Sequence, residues 1–152
     1  GQCFGAGKFD LTRKYCLKLI AIGRMVMLLT VLILYPLTPL LLLLYNASAE
    51  GARIIYVSLA IGAVSTPLWW CDGYLPAMTL RVAGDATYTA IVSICSLALG
   101  RCLIGYLLTI PFGLGVPGIW IGLSLEWLIR ALLLHIRFRT ASWQHLCMRS
   151  GA

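Results

Sequence analysis

The chain has 152 residues, of which 61% are hydrophobic and only 11% charged, against about half apolar and a quarter charged in a soluble domain. That balance excludes a soluble enzyme or binding module and implies a membrane protein. The net charge of +7 does not describe a nucleic-acid partner, because such a binder presents Lys and Arg as a patch on a polar surface, whereas here they flank apolar runs.

A span across a roughly 30 Å hydrocarbon core takes about 20 apolar residues, so a chain of this length holds four helices and short connections. The opening residues lack the charged, apolar and small-residue succession of a signal peptide. A chain starting at Gly1 rather than Met reads as part of something longer.

The first element is an amphipathic stretch, "KFDLTRKYCLKLIAIG", whose Lys8, Arg13, Lys14 and Lys18 alternate with apolar residues at helical spacing. It runs without a break into an apolar span over residues 22–45, giving one long helix with an interfacial foot and bends at Pro36 and Pro39. The second span covers residues 53–80, the third 87–110 and the fourth 117–138, each ended by Gly, Pro or charge. Period-2 alternation is absent, so the fold class is an all-α polytopic bundle rather than a β-barrel.

Four spans place the amino end, the "RVAGDA" connection and the tail on one side, with "NASAEG" and "FGLGV" on the other. The first side carries Lys8, Arg13, Lys14, Lys18, Arg24, Arg81, Arg137, Arg139 and Arg149, the second only Arg53, so the positive-inside rule makes the first side cytoplasmic. In the cytoplasmic turn, Arg81 is expected to anchor one helix at the headgroups while Gly84-Asp85 stops it and caps the next. Asn46-Ala47-Ser48 matches a glycosylation acceptor in a short loop, a pattern frequent by chance.

Six cysteines, Cys3, Cys16, Cys71, Cys95, Cys102 and Cys147, form no C-x-x-C pair and are expected to be unpaired thiols. His135 and His145 offer no metal-ligand spacing, and no nucleophile elbow or phosphate-cradling Gly loop occurs, so neither an enzyme nor a resident cofactor is expected. The series Gly115, Gly118, Gly122 contains one small-xxx-small step that lets helices approach closely.

Four charges fall within the spans. Counting from Arg81 at 1.5 Å per residue places Asp72 about 13 to 14 Å deep; the same count puts Glu126 about 13 to 14 Å and Arg101 about 15 Å from the other face, with Arg130 one turn beyond Glu126. A central charge costs about 2.5–3.5 kcal/mol or more, so such groups are seldom left facing lipid and mark a partner or a water-filled path. Glu126 and Arg130 are spaced to pair along one helix face, and Arg101 either reaches a carboxylate or a helix end or contacts substrate.

Asp72 has no cation within one turn of its own helix, which makes it an apparently unaccompanied acid. It lies between Pro67 and Pro76, whose effect is to free backbone carbonyls, and a carboxylate beside broken helix suits a cation or proton site. Trp69, Trp70 and Tyr74 surround it in sequence, and aromatic faces with a carboxylate suit an organic cation; equally, rings in these positions fill space between helices.

Several segments occur in a telling order. "GQCFGAGKFDLTRK" resembles a G-Q-x-x-G-A-G turn followed by a basic helix, "LRVAGDAT" resembles an L-R-x-x-G-D-T turn, "GLGVPGIWIG" resembles a G-x-G-V-x-G-x-W loop and helix start, and "RFRTASW" resembles a basic, Trp-containing helix end. These are motifs of the multidrug and toxic compound extrusion (MATE) transporters, from which the turn departs at Val82 and Ala86. The resemblance implies two bundles of six helices, with these spans equivalent to the last four and the whole first bundle outside the chain. It further implies a secondary active antiporter that exchanges cationic or amphipathic compounds for H+ or Na+ from a multi-pass position in the cell membrane, with Asp72 as a coupling residue. The alternative is a small helical-bundle membrane protein that acts by assembling with partners, its intramembrane charges serving as interhelical glue.

Overall fold

A computed structural model describes residues 2–46 and 48–140. Ala47 of the tripeptide acceptor, the end of "RFRTASW", His145, Cys147 and Arg149 lie outside the described residues. After a single helical turn, Gln2–Gly5, four helices are long and apolar enough to cross a membrane: α1 (Phe9–Leu44), α2 (Ala49–Val82), α3 (Ala86–Thr109) and α4 (Val116–Arg139). The protein is an all-α, polytopic membrane protein.

The basic foot and the first apolar run form one helix, with Pro36 and Pro39 inside it. It ends where Asn46 adopts a positive φ of 47°, a conformation that Asn tolerates better than most residues. Helix α2 starts on Ser48, whose Oγ accepts from the Gly51 backbone N–H at 3.2 Å, a standard N-cap. It ends in a Schellman turn: Gly84 takes φ +88°, the Asp85 N–H reaches Leu80 O at 2.9 Å, and the Gly84 N–H reaches Arg81 O at 3.1 Å. Gly115, at φ +60°, and Pro117 in the first turn set the start of α4.

Helices α2 and α3 are not α-helical throughout. Thr66–Trp70 in α2 and Leu97–Ile104 in α3 wind as π-helix. Pro67 lies in the first of these; its ring crowds the carbonyl four residues back and it has no N–H to donate, so a wider turn relieves the ladder there. These π segments were not expected from the sequence.

The centre of the bundle is α4. Gly118, Gly122, Glu126, Arg130, Leu134 and Phe138 are all buried and recur every four residues, forming one stripe against α2 and α3. The glycines set the spacing, as the small-xxx-small step predicts. A β-carbon on Gly122 would stand 2.7 Å from Gly105 Cα, and one on Gly118 would stand 3.0 Å from the Leu108 carbonyl carbon.

Near the basic end, Cys16, Ile20, Leu80, Val92, Leu134 and Phe138 pack into a shared apolar cluster. Helix α1 leans mainly on α2, along a narrow seam: its buried residues are Thr12, Cys16, Ile20 and Thr38. Leu28, Leu29, Leu32, Ile33 and Leu40, among others, are exposed, which is the surface expected of a helix that meets lipid or other helices.

Candidate functional site

The intramembrane charges form two groups, one joining α1 to α2 and the other joining α3 to α4. On the α1 side, Asp72 lies in the first turn of the α-helical stretch, Cys71–Val82, that follows the first π segment. Pro76 stands four residues later and has no N–H, so the helical bond that would reach the Asp72 carbonyl is missing. The Asp72 carboxylate is paired: Arg24 of α1 donates to Oδ2 from both Nη2 at 2.6 Å and Nε at 3.1 Å.

This overturns the expectation that Asp72 is unaccompanied. It also moves Arg24 from the cytoplasmic flank to a place opposite Asp72. The sequence carried a signal for this, since Arg24 continues the four-residue series Thr12, Cys16, Ile20 that forms the buried seam of α1. The close approach is made at Gly23, where a β-carbon would lie 2.9 Å from Cys71 Sγ.

The aromatic residues do not ring the carboxylate. Trp70 and Tyr74 lean on each other, with centroids 4.9 Å apart and planes at 31°. The Tyr74 ring is covered by the guanidinium of Arg130, 5.0 Å from its centroid, so the protein's own arginine already makes that cation–π contact. Trp70 and Tyr74 line a groove of about 580 Å³ between α1 and α2 together with Leu19, Ile22, Gly23 and Val26. Trp69 is half-buried within the π segment.

On the α4 side, Glu126 is almost wholly buried and meets two arginines. Arg130 Nη2 donates to Oε1 at 2.6 Å, one turn along the same helix. Arg101 Nε, from the π segment of α3, lies 2.9 Å from Oε2, although among the described residues Oε2 accepts no aligned hydrogen bond. Arg130 Nε also donates to Ser96 Oγ at 3.4 Å, tying α4 to the residue just before that π segment. Of the alternatives for Arg101, the structure therefore has it reaching a carboxylate, while Glu126 and Arg130 do pair. Helix α2 faces this group at Gly73, where a β-carbon would stand in ordinary contact with Arg130 Cδ, at 3.5 Å.

The turn Arg81, Gly84, Asp85 is only partly as expected. Gly84 stops α2, but the Asp85 side chain makes no capping bond to α3. It accepts instead from Arg137 Nε at 2.8 Å, and Arg137 also stacks over Tyr88, 4.9 Å from the ring centroid. Either bond is charge-assisted on the carboxylate side; Arg137 adds a full opposite charge, which a backbone N–H does not carry. Arg81, exposed to the surroundings, folds back to give its Nε to Thr89 Oγ1 at 3.3 Å.

Among the described residues no three His, Cys, Asp or Glu gather to hold a metal ion, and Cys3, Cys16, Cys71, Cys95 and Cys102 are free thiols.

Four helices long and apolar enough to span a membrane, carrying ion-paired carboxylates beside π-helical breaks, define a polytopic membrane protein with charges inside its spans. The family model MatE matches residues 1–107, which takes in α1, α2 and most of α3. The chain belongs to the MatE family, the multidrug and toxic compound efflux transporters, which are membrane transporters of small molecules rather than enzymes. No solved structure matches the chain.

Proposed function

We propose that the chain forms the last four helices of a secondary active antiporter that exports cationic or amphipathic compounds in exchange for H+ or Na+, with Asp72 as the residue that takes up and releases the cation. The observation that carries this reading is the Asp72 carboxylate itself: its side chain is only 14% exposed, and it is held by one arginine from a neighbouring span whose own side chain is 50% exposed. A carboxylate in that setting exchanges cations without losing its neighbours in the core. The apolar groove next along α1 and α2, which Trp70 and Tyr74 help to line and Asp72 does not, suits the apolar body of an amphipathic compound, and a partner bundle outside the chain supplies the other wall of the path.

In this reading the amino end and the tail are cytoplasmic. With Arg24 removed from the count, Lys8, Arg13, Lys14, Lys18, Arg81, Arg137 and Arg139 still stand at that end against Arg53 at the other, an imbalance that supports the orientation.

The test is efflux of a lipophilic cation from cells expressing the full reading frame that contains this sequence, with and without an imposed pH or Na+ gradient. Asp72→Asn is expected to abolish gradient-driven efflux. Unchanged efflux and unchanged gradient dependence would remove Asp72 from the mechanism.

A further inference from the structure

The geometry points to Arg24 as a tethered stand-in for the cations exchanged at Asp72, the exported organic cation as well as the coupling ion: its guanidinium occupies Asp72 while no cation is bound and has to be displaced for one to bind. This rests on the reading of Asp72 given above and adds the control of that site.

Three observations carry it. First, the pairing is one to one. Glu126 keeps Arg130 if Arg101 leaves, whereas among the described residues the hydrogen bonds to Asp72 all come from Arg24. Second, the two partners are unequally held. Asp72 is the sheltered member and Arg24 the half-exposed one, and Arg24, unlike Arg130 and Arg137, lies over no aromatic ring among the described residues, so the arginine is the member free to swing away. Third, the grip leaves room. Both Arg24 donors go to Oδ2, so an arriving cation can engage the carboxylate at Oδ1 before the guanidinium lets go.

The consequence is electrostatic. A carboxylate this deep is costly to leave unmatched, and Arg24 keeps it matched for most of the time: one positive charge replaces another. A tethered group competes at a high effective concentration, so it lowers the apparent affinity for any external cation by the fraction of time it leaves the carboxylate free. Removing it should raise that affinity.

The experiment measures tetraphenylphosphonium binding by equilibrium dialysis to the purified full-length protein in lipid nanodiscs, comparing wild type, Arg24→Gln, Asp72→Asn and the double variant. The expected result is about tenfold tighter binding for Arg24→Gln, which corresponds to a free carboxylate about a tenth of the time in the wild type. Binding should be lost in both proteins lacking Asp72. Wild-type or weaker affinity in Arg24→Gln, with binding still dependent on Asp72, overturns the stand-in role and leaves Arg24 a positioning residue. Wild-type affinity in Asp72→Asn overturns the underlying reading of the site instead. Should Arg24→Gln fail to fold, Arg24→Lys decides, because it keeps the charge but not the two-pronged grip: tighter binding supports the role, and equal or weaker binding overturns it.

Discussion

Gly100 and Glu126 meet backbone to backbone: a β-carbon on Gly100 would lie 2.6 Å from both Cα and N of Glu126. The contact belongs to the π segment of α3 and the middle of α4, and it delivers the next residue, Arg101, to the Glu126 carboxylate at 2.9 Å. A charge network here thus depends on a residue with no side chain.

Gly100→Ala should destabilise the bundle by about 1–3 kcal/mol, since backbone atoms cannot move aside as a flexible side chain would. Gly5→Ala, where nothing lies within 4 Å of the added carbon, serves as the neutral control. Thermal unfolding in detergent distinguishes them, and equal midpoints would mean that α3 and α4 are not in this contact.

Truncating Glu126 to Ala should cost about 3–5 kcal/mol, because it leaves the buried Arg130 without its counter-charge. Replacing both, as Glu126→Leu with Arg130→Met, should cost clearly less than the sum of the single changes. A double-mutant cycle on unfolding in mixed micelles reads the coupling, and strict additivity would show that the two side chains do not interact.

For Asp85, the pairing with Arg137 at 2.8 Å makes a prediction that a capping role does not. Ser is as good an N-cap as Asp, so a cap would be preserved in Asp85→Ser. The ion pair predicts instead that Asp85→Ser loses about as much stability as Asp85→Ala, on the order of 1 kcal/mol. Full retention of the unfolding midpoint in the Ser variant would restore the capping account.

Thiol accessibility probes the α1–α2 seam. Cys16 and Cys71 are buried and Cys95 and Cys102 exposed, so a small uncharged maleimide in detergent should modify Cys95 and Cys102 first, as mapped by peptide mass spectrometry. Labelling of Cys71 as fast as Cys102 would mean that α1 does not rest on α2 at Gly23.

Much of this bundle was legible in the sequence because membrane insertion is governed by quantities that sequence reports directly: the length of an apolar run, the residues that interrupt it, and glycines at four-residue spacing. The pairing of Glu126 with Arg130 was legible for the same reason, being local to one helix. The partner of Asp72 was not, since Arg24 stands 48 positions away and lies just beyond a run of interfacial basic residues, where charge counting absorbs it. Asp85 shows the opposite failure: local rules gave it a role that a distant arginine takes over. The π segments escaped because a change from four-residue to five-residue bonding leaves no compositional mark beyond Pro67.

Helix α4 is made after α3, yet it carries the carboxylate that Arg101 needs. At roughly 5–20 residues per second, the 25 positions from 101 to 126 separate the two by about 1–5 seconds of translation. Until Glu126 arrives, α3 holds an arginine in its middle that the bilayer accepts only at a penalty of about 2.5–3.5 kcal/mol. The third helix is therefore expected to linger at the insertion machinery and to enter the lipid together with the fourth, as a hairpin rather than as a single segment.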